Sequence, residues 1–195
     1  MLNLAVLISG SGSNLQALID ACKGPDYPAQ INLVISNRPG AYGLERAEKA
    51  EIPTFVIDHK DYAGRSAFET ALQATLSEHQ VDLICLAGFM RILTADFINQ
   101  WAGKVINTHP ALLPKFGGEG MYGEHVHKAV LESGDPESGC SIHYVIPEVD
   151  QGEVIIQRVV SVKTDDTIET LSERVIKQEH IAYPEAVRII ADKRA

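Results

Sequence analysis

The sequence predicts an α/β fold: a doubly wound, mostly parallel sheet with a C-terminal antiparallel hairpin and terminal helices. Three observations predict it. Leu2 to Ser9 and Leu83 to Ala87 are unbroken apolar runs, the pattern of strands buried on both faces. Runs of this kind alternate with stretches of helical spacing in five successive β–α steps, which implies right-handed crossovers. A glycine-rich turn, Ser9-Gly10-Ser11-Gly12-Ser13-Asn14, joins the first strand to the first helical stripe (Leu15, Leu18, Ile19).

Further strands are expected at Ile31–Ser36, Thr54–Ile57 and Lys104–Asn107. Helices are expected at Gly43–Ala50, at Arg65–Glu78 with Phe68, Leu72 and Leu76 inward, and at Thr94–Ala102 with Thr94 as cap. Phe116 to Gly123 holds four glycines in eight residues and is a loop. His125 and His127 precede a helix at Lys128–Glu132. With no third ligand near, that pair gives little support to a metal. Ser141–Val145 and Val154–Val162 form the hairpin around a breaker-rich turn, Pro147 to Gly152. Asp166 opens the next helix as a capping-box residue with Glu169. Pro184 then breaks the run, leaving Ala186–Ala191 as a last helix.

The 195 residues suffice for one compact domain, 1–195, with a real core. A net charge of -9 argues against a nucleic-acid surface. No apolar run approaches a membrane span, and Met1 leads into a strand-like run rather than a signal sequence. Cys22, Cys85 and Cys140 are scattered and odd in number. They support neither a disulfide framework nor a zinc site, and a cytoplasmic location is expected.

Chemistry concentrates where strands end. The glycine turn makes a nest suited to a phosphate at a helix N-terminus, although a purely structural turn has the same form. It is no dinucleotide fingerprint: Leu15 stands at the third glycine position, and Asn37-Arg38 replaces the ribose-binding acid. Gly88 to Leu93 offers Phe, Met, Ile and Leu to a flat ring, or simply to a core. In Asn107-Thr108-His109-Pro110 an amide and an imidazole lie two residues apart and so on one side of an extended chain. Together they can hold an oxyanion and move a proton, though asparagine also ends strands and a single histidine is commonly structural. Glu179 falls on the apolar stripe of the C-terminal helix, where an unpaired acid is costly.

Taken together, Ile8 to Gln16, Leu86 to Leu93, Asn107 to Pro114, Val149 to Gly152 and Gln178 to Pro184 resemble the phosphoribosylglycinamide formyltransferase family over essentially the whole chain. The resemblance implies a Rossmann-like formyltransferase domain. It also implies transfer of a formyl group from 10-formyltetrahydrofolate to the glycinamide amine, without a metal. Asn107, His109 and Asp150 would be catalytic, with Asp150 favouring the imidazolium and orienting it. Gly12, Ser13 and Asn14 would hold the substrate phosphate and Glu179 its amine or ribose. Met90, Arg91, Ile92, Leu93, Asn107, Ile146, Val149 and Asp150 would enclose the folate, with Arg65 on the folate side. The segment Gly117 to Glu124 is longer and richer in glycine than the shortest forms of that family, and suggests a lid.

The resemblance implies small-molecule partners, and a monomer or homodimer. The rivals are a formyltetrahydrofolate hydrolase, expected to carry a further domain, and a non-catalytic phosphate-ligand module. A methionyl-tRNA formyltransferase would need basic surface.

Overall fold

The computed structural model describes residues 1–194. Seven strands form one sheet in the order β3-β2-β1-β4-β5-β6-β7. The parallel part comprises β1 (Leu2–Ile8), β2 (Ala29–Ser36), β3 (Thr54–Val56), β4 (Leu83–Leu86) and β5 (Val105–His109). β6 (Glu137–Tyr144) runs antiparallel to β5, and β7 (Val154–Ser161) antiparallel to β6, which is the expected hairpin. The helices are α1 (Ser13–Cys22), α2 (Tyr42–Lys49), α3 (Arg65–Glu78), α4 (Ala95–Gln100), α5 (Glu124–Ser133) and α6 (Ile168–Arg194).

Alternation along the central strands feeds two apolar layers. Leu4, Val6, Ile8 and Ile106 join the layer of α1 and α6. Ala5, Leu7, Ile84 and Val105 join that of α3, with Phe68, Leu72 and Leu76. The central strands β1 and β4 are thus covered on two sides, while β3 at the edge is only partly covered.

Four expectations change. β5 runs on through His109 rather than ending at Asn107, because His109 pairs with Ser141 of the antiparallel neighbour. α5 starts at Glu124 and takes in both His125 and His127. The cap of α6 is Thr167, not Asp166: the N–H of Thr170 donates to the Thr167 hydroxyl (3.3 Å) and the N–H of Thr167 to the Thr170 hydroxyl (2.9 Å). Asp166 instead accepts from the Lys163 N–H and from Arg174, which holds its carboxyl well below the usual range.

The fourth change concerns Pro184, which lies inside a single continuous α6. A helix-interior proline costs about 3 kcal/mol. Tyr183, Ala186, Val187 and Ile190 around it are all buried, and a large apolar side chain contributes about 1.5–3 kcal/mol on burial, so packing offsets the lost bond.

Tyr183 also ties α6 to the sheet. Its hydroxyl lies 2.9 Å from the Leu86 carbonyl and 3.3 Å from that of Ile106, spanning β4 and β5 just below the site. Tyr183→Phe is expected to lower unfolding free energy by about 1 kcal/mol in a denaturant titration. No change would show that this buried contact carries no net stability.

Candidate active site

The carboxyl ends of the parallel strands form the crevice. On its first side, Gly12 has φ +69 and ends the turn that starts α1. Its backbone abuts α2: a Cβ on Gly12 would meet the Gly43 Cα at 2.7 Å, so a side chain does not fit. The Gly43 N–H donates to the Gly10 carbonyl (3.0 Å) and Arg46 Nε to the Ser11 carbonyl (2.8 Å). The first helical bond runs from the Gln16 N–H to Gly12, so the N–H groups of Ser13, Asn14 and Leu15 precede the ladder and lack an intrahelical acceptor. Ser9 to Asn14 on one wall and Arg38, Ala87, Gly88 and Met90 on the others bound a pocket of about 260 Å³. A wider hollow of about 440 Å³ lies at the other end of α1, against Tyr27 and Arg188.

The Asn14 amide donates to Glu179 Oε2 at 2.8 Å, both side chains being buried. Asn14 Oδ1 has no partner. Burial pushes the Glu179 carboxyl above its ordinary range, against the opposing pull of the Asn14 amide.

The second cluster sits on β5 and β6. Their register sets Asn107 opposite His143 and His109 opposite Ser141. Asn107 Nδ2 lies 3.4 Å from His143 Nε2. Asp150, at φ +57, reaches both imidazoles: Oδ2 is 3.4 Å from His109 Nδ1 and Oδ1 is 3.6 Å from His143 Nε2. Its Oδ2 also accepts from the Gly118 N–H at 3.0 Å. His109 Nε2 lies 2.7 Å from the Phe116 carbonyl, so both its ring nitrogens face acceptors. His143 Nδ1 faces the Tyr144 carbonyl at 2.9 Å and must donate there, which leaves Nε2 to accept from the Asn107 amide. Burial moves the His143 imidazole down from its ordinary value, more than the Tyr144 carbonyl and the Asp150 carboxylate raise it.

The structure brings together Asn107, His109 and Asp150, as the family resemblance implied, and sets Asn14 beside Glu179, a contact the sequence did not predict. Sequence reasoning missed His143, whose only signal was a lone imidazole on an apolar strand. Met90 and Ile92 are exposed and Arg91 half-buried, while Leu93 points into the α3 layer. Ile146 is exposed and Val149 half-buried in the loop that carries Asp150. Arg65 is exposed at the first residue of α3 and makes no hydrogen bond or ion pair with the described residues. His127 is buried, its Nδ1 unpartnered, and burial followed by the charge of His109 lowers its pKa. Among the described residues, no three His, Cys, Asp or Glu side chains are grouped to hold a metal ion, and no helix is long and apolar enough to cross a membrane.

An amide, an imidazole and a carboxylate converge at the strand ends of this sheet, groups able to hold an oxyanion and to move a proton. Residues 2–187 match the formyl transferase family, and the chain belongs to it. It is 42% identical to the phosphoribosylglycinamide formyltransferase of Escherichia coli over 193 residues, covering 99% of this chain and 89% of that protein. It is 53% identical over 190 residues to the trifunctional purine biosynthetic protein adenosine-3 of Chironomus tentans, covering 96% of this chain but 14% of that protein. The chain thus spans 14–18% of the length of the trifunctional relatives it matches. The crystal structure of glycinamide ribonucleotide transformylase 1 from Symbiobacterium toebii superposes with TM-score 0.94 at 42% identity, covering 100% of this chain and 89% of that one.

The raised pKa of Glu179 has a thermodynamic consequence. Above pH 4.5, the ordinary value, the unfolded carboxyl releases its proton while the native one keeps it. Stability from this group falls as pH rises through that window. The stability of the wild type relative to Glu179→Gln is expected to decline from pH 4.5 upward and level off above the native pKa, as read by denaturation midpoints. A difference independent of pH would refute the buried, proton-holding state.

Proposed function

We propose that this chain transfers the formyl group of 10-formyltetrahydrofolate to the amine of 5-phosphoribosylglycinamide in purine biosynthesis. The observation that carries the reading is the Asn107–His109–Asp150 cluster lying at the same sheet edge as the Asn14–Glu179 pair. The names of relatives 42% identical over nearly the whole chain support the choice of substrates.

On this reading Gly12, Ser13 and Asn14 hold the phosphate, the last two through N–H groups that precede the helical ladder. Glu179 and the free Asn14 Oδ1 are acceptors, and suit the hydroxyls and amine of the acceptor substrate. Exposed apolar side chains of Met90, Ile92 and Ile146 suit a flat ring, with Arg91 and Val149 beside them and Arg65 further out, while the Leu93 side chain lies beneath in the α3 layer. The amine nitrogen bonds to the formyl carbon, and the bond from that carbon to the folate nitrogen then breaks. Asn107 and the His109 ring donate hydrogen bonds to the oxygen that gains charge between these events. His109 passes the proton lost by the amine to the departing folate nitrogen, directly or through a water, so the net proton count is zero. Asp150 orients the imidazole and balances its charge. The reading takes residues 1–195 as one formyltransferase domain, cytoplasmic, working as a monomer or homodimer without metal, membrane or nucleic acid.

Release of deformylated folate, followed by absorbance, is expected to require the ribonucleotide. His109→Ala should lower kcat by about 10²–10⁴-fold and Asp150→Asn in the same direction. Release without ribonucleotide would identify a hydrolase instead. No release from a protein that still binds the ribonucleotide would leave a binding module.

The Phe116 carbonyl occupies His109 Nε2, so a step in which that nitrogen serves the substrate requires the 116–123 segment to move. That supports a lid. Gly118 and Gly120 have φ +99 and +83, and a Cβ on Gly117 would meet Leu113 at 2.6 Å and Asp150 at 3.3 Å. Replacing Gly117, Gly118 and Gly120 with Ala is expected to reduce turnover by about tenfold or more in a folded protein. Unchanged turnover and substrate binding would remove the lid.

A further inference from the structure

Residues 88–93 leave the sheet between Ala87, whose N–H donates to the Leu7 carbonyl, and Thr94, the cap of α4. Two side chains remote in sequence pin this loop. The Met90 N–H donates to the Ser9 hydroxyl at 2.8 Å. Ser9 is buried, and its own proton is committed to Asn37 Oδ1 at 2.5 Å, which turns its lone pairs toward Met90. Asn37 is itself buried, with its Nδ2 3.3 Å from His59 Nδ1, so the hydroxyl's orientation is held from behind.

At the other end, Glu69 of α3 accepts from the Thr94 N–H at 2.6 Å and from the Thr94 hydroxyl. Glu69 is buried, and among the described residues no cation lies at ion-pair distance. A buried carboxylate without a counter-charge is an expensive anchor for a loop that apolar packing could secure alone. The loop's own pattern shows what the pins achieve. Phe89 and Leu93 are buried in the α3 layer, whereas Met90 and Ile92 are 48% and 56% exposed.

We propose that Ser9 and Glu69 are positioning residues for the formyl donor. They hold the 88–93 backbone in the shape that turns Met90 and Ile92 outward as a wall for the donor's ring. The inference rests on the formyl-transfer reading above.

The test is steady-state kinetics with glycinamide ribonucleotide and a 10-formylfolate donor on wild type, Ser9→Ala, Glu69→Gln and Ser9→Thr, with melting curves alongside. Ribonucleotide-dependent transfer by the wild type secures the underlying reading, and its absence would sink that reading before any variant is compared. Given transfer, Ser9→Ala and Glu69→Gln are each expected to raise the donor KM about five- to tenfold, the scale of one lost hydrogen bond. Glu69 lies outside the phosphate pocket, so for Glu69→Gln the ribonucleotide KM and kcat should stay within about twofold. Ser9 borders that pocket, so for Ser9→Ala the donor KM should rise several-fold more than the ribonucleotide KM, and Ser9→Thr, which keeps the hydroxyl, should recover the donor KM. A parallel rise of both KM values, an unmoved donor KM, or a folded Ser9→Thr that fails to recover it would each overturn the proposal. If Ser9→Ala does not fold, the donor KM of Glu69→Gln decides alone.

Discussion

Three groups converge on one carboxylate. Asp150 accepts from the Gly118 N–H and faces the rings of His109 and His143, and through it two loops and two strands meet. The cost is visible in its backbone, a left-handed φ of +57 at a residue with a side chain. The turn that sustains this conformation is pressed against β6: a Cβ on Gly152 would fall 1.7 Å from the Tyr144 carbonyl, so only glycine lets the chain return so closely. The two histidines it faces are not equivalent. His109 has acceptors at both ring nitrogens, while His143 has the Tyr144 carbonyl at Nδ1 and, at Nε2, both the Asn107 amide (3.4 Å) and Asp150 Oδ1 (3.6 Å). One carboxylate thus faces both imidazoles, and the Asn107 amide at His143 alone gives the two rings different hydrogen-bonding surroundings.

That difference depends on register. β6 must run antiparallel to β5 for His143 to stand opposite Asn107, and Ser141 of the same strand locks the chain beyond His109. Its hydroxyl accepts from the Leu113 N–H and donates to the Ala111 carbonyl, while Gln157 of β7 donates to both Ser141 and the Leu113 carbonyl. The hairpin is therefore the frame to which residues 111–113 are fastened.

The strand–turn–helix rhythm, the glycine turn, the Asn-x-His pair and the acid on the stripe of α6 were all legible from spacing, because local periodicity and backbone chemistry determine them. The features that were not legible depend on partners far along the chain. Pro184 reads as a breaker until the burial of Tyr183 and Val187 is known. Asp166 reads as a cap until Arg174 claims it. His143 looks like a core histidine until β5 is laid beside it. Ser9 and Glu69 carry no local signal, since each bonds to backbone at least 25 residues away.

The pleat of β5 carries a last consequence. Val105 belongs to the α3 layer, so Asn107 and His109, two and four residues on, point that way, while Ile106 and Thr108 point toward α6 and Glu179. One strand thus separates a half-site owned by the α3 layer from a half-site owned by the α1–α6 layer. On the proposed reading, a change in α6 at Glu179 would alter the acceptor side while leaving Asn107 and His109 on the opposite face of the strand untouched.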